Sequence, residues 1–325
     1  MYQVLIIGCG QIAGGYDAAT IDGGPVRTHA AAYRADPRFG LAGCVDPDSN
    51  ARNAFAARWD IPHAAARTSA FAGSPIDVIS ICSPTAHHAA AIDDALALGP
   101  KLIFCEKPLA DDPSLAAELI GRCAAKGVAL AVNYTRRWAP DVVRLAGELK
   151  AGTWGQVRSA SGTYGKGVMH NGSHLIDLLN ILFGPAELIA AGAPVNDFWP
   201  DDPTVPALLE AGHIPITLAA GHAADYALFE LVIVTERGEI AMRDGGLNWT
   251  FRRAVPSTHF SGYHTLGAFE HRAGEYDAAM PTAIGNLGDY LDSGAPLAST
   301  GETALAAQLL CGQMRSASLS NGRKA

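Results

Sequence analysis

The sequence predicts a doubly wound α/β domain followed by an α+β domain with a mainly antiparallel open sheet. Three observations predict it. Short apolar runs alternate with longer Ala-rich segments over about the first 130 residues, a glycine-rich turn directly follows the first run, and after Tyr134 the pattern changes to alternating strands joined by tight turns. With 325 residues, 49% of them hydrophobic, the chain is long and apolar enough for two cores.

The apolar runs are VLIIG (4–8), FGLAGCVD (39–46), IDVISICSP (76–84), KLIFCE (101–106) and VALAVN (128–133). Helical candidates lie near 26–35, 49–58, 86–98 and 113–126. Continuous β-branched runs bounded by Gly or Pro suit strands buried on both faces, and their alternation with helices implies βαβ units and a parallel sheet. Residues 1–133 are therefore expected to form the first domain and 134–325 the second. In the second, a helix is expected over 140–150, an alternating strand in GQVRSASGTYG and a helix from His174 to Phe183. The stretches PITLAAGHA, LFELVIVT, GEIAMRD and NWTFRRA, with turn signals RGE and DGG, read as antiparallel hairpins. Helices near 278–292 and 302–318 close the chain, free to pack back on the first domain, and SNGRKA at the end is expected to fray.

The net charge is −8 and no basic run interrupts the chain, which argues against nucleic acid or an anionic membrane surface as a partner. MYQVLIIGCG has no basic leader region, and no apolar stretch reaches the length of a membrane span, so a cytoplasmic protein is expected. The six cysteines are scattered, without a CxxC pair, and read as reduced, buried thiols.

The turn after the first run is Gly8-Cys9-Gly10-Gln11-Ile12-Ala13, a G-x-G-x-x-A pattern between a strand and a helix. Gly8 permits the tight turn, Gly10 lets the backbone approach a pyrophosphate, and Ala13 keeps the helix close to the sheet, with Gln11 and Ile12 on the cofactor side. This is the dinucleotide-binding fingerprint of a Rossmann domain. Asp46 ends the second run, where an acid holds the adenosine ribose and repels a 2′-phosphate, so NAD is expected over NADP. The same residue also reads as a turn-initiating Asp-Pro. Its distance from the glycines exceeds the usual spacing of about twenty residues, and an insert over 15–27 accounts for the excess. Ser83, Pro84 and Thr85, with His88 in the next helix, fall at the crevice outside the strand ends, where cofactors lie. His87 and His88 are adjacent, so they point different ways, and no third ligand is near in sequence; no metal is expected.

Glu106-Lys107-Pro108 ends the next run. The G-x-G-x-x-A turn, Asp46, Ser83-Pro84-Thr85, Glu106-Lys107-Pro108 and the helix HNGSHLIDLLNILFG (170–184) together resemble the Gfo/Idh/MocA family, the glucose–fructose oxidoreductase and inositol dehydrogenase relatives. The resemblance implies an NAD(P)-dependent dehydrogenase acting on CH–OH groups. It implies that Lys107 and His174 face the substrate beside the nicotinamide, that the Lys107–Pro108 bond is cis, and that Glu106 lies on the cofactor side. The chemistry also stands by itself: a histidine can take the hydroxyl proton while hydride leaves carbon, and an ammonium stabilises the developing alkoxide. The plainer alternatives are an exposed Glu106–Lys107 ion pair and a core histidine.

His170, His174 and Asp177 follow at i, i+4 and i+7 and share one helix face, with Asp177 placed to orient His174 from behind. A zinc site in His-x-x-x-His is disfavoured, because no glutamate base accompanies it. Relatives carry Asp where His170 stands, so His170 or Asn171 takes over contact with the substrate hydroxyl. Tyr134, Arg136 and Arg137 of NYTRRW, and Tyr164 of SGTYG, are further candidate substrate contacts; each reads equally as a surface cation or a packed aromatic. The expected reaction is hydride transfer between nicotinamide and a secondary alcohol of a sugar, polyol or sugar derivative, a sugar acid or nucleotide sugar included. The rivals are a non-catalytic cofactor sensor and a dehydrogenase of a non-sugar such as a dihydrodiol. The expected partners are a small-molecule substrate and a second copy of the chain, in a homodimer or homotetramer formed through the open sheet face.

Overall fold

The apolar runs of the N-terminal part become strands because most positions in them are buried. In the computed structural model, which describes residues 1–19 and 23–322, these are β1 (Tyr2–Ile7), β2 (Phe39–Val45), β4 (Val78–Ile81), β5 (Leu102–Cys105) and β6 (Ala129–Val132). β3 (Ala64–Ala65) has only two small residues and no apolar run to announce it. All pairings are parallel, in the order β3-β2-β1-β4-β5-β6, and every residue of β4 and β5 is buried. The order reverses between β1 and β4, which makes the crevice above their carboxyl ends the ligand-binding position of such a sheet.

The crossover helices are α1 (His29–Ala35), α2 (Ser49–Trp59), α3 (His88–Leu98) and α4 (Pro113–Ala125). Capping explains two of the starts: Asp48 accepts from the N–H groups of Asn50 and Ala51, and Asp112 from that of Ser114 with Pro113 at the first turn. The helix expected over 26–35 is α1, which begins at His29, and directly after Gly10 the chain makes a single π-helical turn, Gln11–Gly15. The 15–27 insert intervenes, and its residues 20–22 lie outside the described residues. Its base is tied by buried Asp17, whose Oδ2 accepts from the N–H groups of Arg27 and Thr28 (2.8 Å each) and the hydroxyl of Thr28 (2.7 Å).

The C-terminal part is built from α5 (Pro140–Lys150), β7 (Val157–Tyr164), α6 (Ser173–Phe183), β8 (Ala186–Ala191), β9 (Val195–Trp199), β10 (Asp202–Thr204), β11 (Ala207–Ala211), β12 (Ile214–Ala220), β13 (Phe229–Thr235), β14 (Gly238–Arg243), β15 (Asn248–Pro256), β16 (His264–Leu266) and β17 (Glu270–Ala273). A nine-stranded sheet runs β16-β15-β14-β13-β7-β12-β11-β8, with β17 beside β15; only the β7–β12 pairing is parallel. Burial alternates as an open sheet requires. Leu209, Ile216, Leu218, Leu231 and Ile233 are buried, while Leu208 and Val234 face outward. β9 and β10 form a separate two-stranded ribbon.

The last helices are α7 (Ala279–Ser293) and α8 (Gly301–Gly322). The chain divides into two units, Met1–Ala139 with Asp277–Leu305, and Pro140–Tyr276 with Ala306–Ala325. The first unit's N-terminal segment thus runs through Ala139. The turn Thr135–Trp138 is fastened into the first core: Trp138 is buried edge-on against Phe104 (5.8 Å), and its Nε1 donates to Asn286 of α7 (2.9 Å). Met280, Ala283, Ile284 and Leu287 of α7 join Val4, Tyr33 and Phe39 in the same core. α8 continues through Gly322, past the start of the expected fraying, and residues 323–325 lie outside the described residues. Among the described residues no helix is long and apolar enough to cross a membrane.

Candidate functional site

The crevice between β1 and β4 is shaped by glycine. Gly8 has φ +90°, and a Cβ there would lie 2.6 Å from the backbone nitrogen of Ser83, so the two strand-end turns close on each other only without a side chain. Among the described residues a Cβ on Gly10 would meet nothing within 4 Å, which leaves its backbone open to a ligand. Ala13 is buried as expected of a close-packing residue, but the tightest contact belongs to Gly14: a Cβ there would fall 2.2 Å from Nε1 of Trp59 on α2. Gln11 is exposed, whereas Ile12 is partly buried against the core.

A cavity of about 550 Å³ opens here, lined by Gly8, Asp46, Arg67, Ser83, Pro84 and His87 among others. Asp46 is fixed through both oxygens, Oδ2 accepting from the N–H of Cys9 and Oδ1 from that of Asp48, 2.9 Å each. The hydroxyl of Ser83 is buried on the wall of this cavity with no hydrogen-bond partner among the described residues. A buried polar atom without a partner is costly, and a ligand oxygen would satisfy it. Gly8, Gly10, Ser83 and Asp46 thus fit the diphosphate and ribose of a dinucleotide. Arg67 was not indicated by the sequence, because nothing local distinguishes it from any surface arginine.

His88, expected to face the cofactor, is buried, with Nε2 2.9 Å from the Ser83 carbonyl and Nδ1 3.0 Å from that of Pro108. Its ring joins the Ser83–Pro84 turn to the Pro108–Leu109 turn instead. His87 lines the cavity, and Thr85 opens the 3₁₀ turn that precedes α3.

Beyond β5 the Lys107–Pro108 bond is cis. Glu106 is held from three sides. Its Oε1 accepts from Nδ2 of Asn133 (2.6 Å) and lies 3.0 Å from Nε2 of His29, and its Oε2 accepts from the backbone N–H of Lys107 (3.3 Å). His29 is fully buried, tilted on Phe104 (4.8 Å), with Nδ1 3.3 Å from the Ser80 hydroxyl, itself 2.8 Å from that of Tyr33. Burial alone would raise the pKa of Glu106. The hydrogen bond and charge of His29, the Asn133 amide and the Lys107 ammonium outweigh it and hold the carboxyl below its ordinary range. Glu106 is therefore an ionised anchor for the lysine's backbone. His29 and Asn133, 77 and 27 residues away, carry no sequence signal of this role.

In the second unit a π-helical turn, Gly167–Gly172, leads into α6. His174 stands half-buried in the first turn of α6, and Asp177 is buried one turn later on the same face. Asp202 secures the approach by accepting from the N–H groups of Met169 (2.9 Å) and His170 (2.8 Å). The His170 ring lies 5.9 Å from that of Trp199, and Nδ2 of Asn171 donates to the Gly165 carbonyl (2.9 Å). Tyr164, expected at a substrate cleft, is instead a core strut. Its hydroxyl donates to the Val205 carbonyl (2.8 Å) and accepts from the Val205 N–H (3.1 Å), and burial pushes its pKa up. Tyr134 and Arg136 are buried in the first unit, and Arg137 donates to the Ala298 carbonyl (3.3 Å). Among the described residues no three His, Cys, Asp or Glu side chains are grouped to hold a metal.

Residues 2–134 match the family described as an oxidoreductase family with an NAD-binding Rossmann fold. The trans-1,2-dihydrobenzene-1,2-diol dehydrogenase of Mus musculus is 29% identical over 182 residues, 50% of this chain and 54% of that protein. The D-glucoside 3-dehydrogenase of Escherichia coli strain K12 is 29% identical over 161 residues, 48% of this chain and 41% of that protein. The chain spans about half or less of the length of the curated relatives it matches. A crystal structure of a 3-ketoreductase from Actinomadura kijaniata, in complex with TDP-benzene and NADP, shares the fold, with a TM-score of 0.77 over 97% of each chain at 18% identity.

Proposed function

This chain belongs to the Gfo/Idh/MocA oxidoreductase family, and on that premise we propose that it is an NAD(P)-dependent dehydrogenase of a secondary alcohol in a sugar, polyol or sugar derivative. The observation that carries the reading is the anchored Lys107: an ionised glutamate fixes the lysine's backbone at the carboxyl end of β5, where a doubly wound sheet presents catalytic groups.

Bound nicotinamide supplies the hydride acceptor. Gly8, Gly10 and Ser83 would hold the diphosphate, and Asp46 would hold the ribose. His174 takes the hydroxyl proton as the C–H bond breaks with its electron pair, leaving a ketone. The Lys107 ammonium stabilises the alkoxide character of the oxygen during this step. Asp177 keeps the His174 ring oriented, and His170 and Asn171 contact the substrate. Asp46 supports NAD; Arg67 on the same cavity supports a second reading in which a 2′-phosphate is accepted. The likeness to a dihydrodiol dehydrogenase supports a non-sugar alternative for the substrate. The outward sheet face, with Ile189 61%, Leu208 50% and Val234 42% exposed, is the surface through which copies of the chain would pair, in the cytoplasm.

The experiment is a screen of sugars, inositols, uronates and a dihydrodiol against both cofactors, read as nicotinamide absorbance. Reduction of NAD or NADP by at least one alcohol is expected. No absorbance change with any of them would transfer the assignment to a cofactor sensor.

A further inference from the structure

We propose that His88 is held as a buried imidazolium between two strand-end turns, and that it positions Lys107 by locking the lysine's turn to the cofactor's. The inference deepens the dehydrogenase reading and rests on it for the role of Lys107.

The ring opens α3 and is 1% exposed. Its Nε2 lies 2.9 Å from the carbonyl oxygen of Ser83. Its Nδ1 lies 3.0 Å from that of Pro108 and 3.3 Å from that of Leu109. A peptide carbonyl accepts and never donates, and a neutral imidazole carries one N–H, so a neutral ring serves one side only. Its other nitrogen would set a lone pair against an oxygen lone pair at hydrogen-bond distance, out of reach of water. Protonation of both nitrogens removes that conflict and makes each contact a charge-assisted hydrogen bond. Burying the cation costs desolvation energy, which the carbonyls on its two sides offset.

Those carbonyls belong to the two turns that the chemistry depends on. Ser83 lines the cofactor cavity, and Gly8 presses on it from the other side, since a Cβ on Gly8 would fall 2.6 Å from the Ser83 nitrogen. Pro108 directly follows Lys107, and Pro108, Leu109 and Ala110 are all buried. The sheet order β1-β4-β5 sets the glycine turn, the Ser83 turn and the lysine turn in a row. Between β4 and β5 the backbone ladder reaches the Glu106 N–H, which donates to the Ile81 carbonyl (2.9 Å). Past that bond the His88 ring continues the link.

This gives the ring a task in hydride transfer without touching the reactants. The cofactor rests on the Ser83 turn, and the ammonium that meets the reacting oxygen stands on the next one. A misplacement of about 1 Å between such groups can cost about a hundredfold in rate. His88 is thus a positioning residue, acting through the two turns rather than on the alcohol.

NMR of the full chain with isotope-labelled histidine ring nitrogens, at neutral pH, tests the charge. The His88 ring, assigned through its own backbone amide, should show both nitrogens protonated. One bare nitrogen would overturn the imidazolium. Steady-state kinetics of His88→Gln and His88→Ala test the positioning. A glutamine amide donates from one nitrogen and carries no charge, so it should keep part of the link, whereas alanine keeps none. Turnover and kcat/KM should fall together, about tenfold in His88→Gln and further in His88→Ala, leaving KM for the alcohol unchanged. A lowered melting temperature with wild-type kcat in both variants would make the ring a structural strut and overturn the positioning. Protonation of both nitrogens in a wild type that oxidises no alcohol would overturn the dehydrogenase reading and leave the imidazolium standing.

Discussion

Nε2 of His29 lies 3.0 Å from Oε1 of Glu106, joining the first helix of the first unit to the strand end that carries Lys107. This contact fixes the anion under the proposed catalytic lysine. It also shows that the glutamate of Glu106-Lys107-Pro108 acts on the chain itself.

Glu106 stays ionised below the ordinary glutamate range, so its stabilising contribution is complete above the unfolded value of about 4.3 and is lost as pH falls through the lowered folded value. Glu106→Gln should cost about 1–3 kcal/mol at neutral pH and progressively less in acid, where the wild-type carboxyl is itself protonated. Urea unfolding of both proteins at neutral and acid pH checks this. A difference that does not change with pH would contradict it.

Gly8 and Gly10 should separate fold from binding. Gly8→Ala forces a Cβ against the Ser83 backbone at positive φ and should lower stability by about 1–3 kcal/mol as well as cofactor affinity. Gly10→Ala has room in the protein, so its melting temperature should be unchanged while cofactor affinity falls about tenfold or more. Calorimetry and cofactor titration read the two effects separately.

Much of the fold was legible in the sequence because it is written in local patterns. β2, β4, β5 and β6 fall within the apolar runs and β1 overlaps its run, and the cis bond agrees with what the Glu-Lys-Pro resemblance implied. β3 was not legible, since two alanines have no pattern, and neither was the bond from Trp138 to Asn286, far along the chain. In the candidate site, strand-end position picked out the turns but not the direction of each ring. His88 and Tyr164 therefore turned inward to backbone groups. The partners of Glu106 are juxtapositions that only the folded chain creates.

Tyr164→Phe tests that correction. Removing the hydroxyl leaves the buried carbonyl and N–H of Val205 without this partner, so stability should fall by about 1–3 kcal/mol while KM stays the same. A raised KM at unchanged stability would return Tyr164 to the substrate.

Cofactor choice should follow the two charges on the first cavity. Asp46→Asn removes the repulsion of a 2′-phosphate and should shift preference toward NADP by about tenfold, whereas Arg67→Ala should weaken NADP more than NAD. Affinities of each variant for both cofactors decide it. An Asp46→Asn enzyme with unchanged preference would remove Asp46 from the ribose site.

The most direct test of the central claim is turnover of Lys107→Ala and His174→Ala at saturating cofactor, on the alcohol the wild type oxidises fastest. Each variant should lose at least about a hundredfold in kcat while its cofactor affinity stays near that of the wild type. Wild-type turnover in both variants would contradict the assignment of these residues to the chemistry.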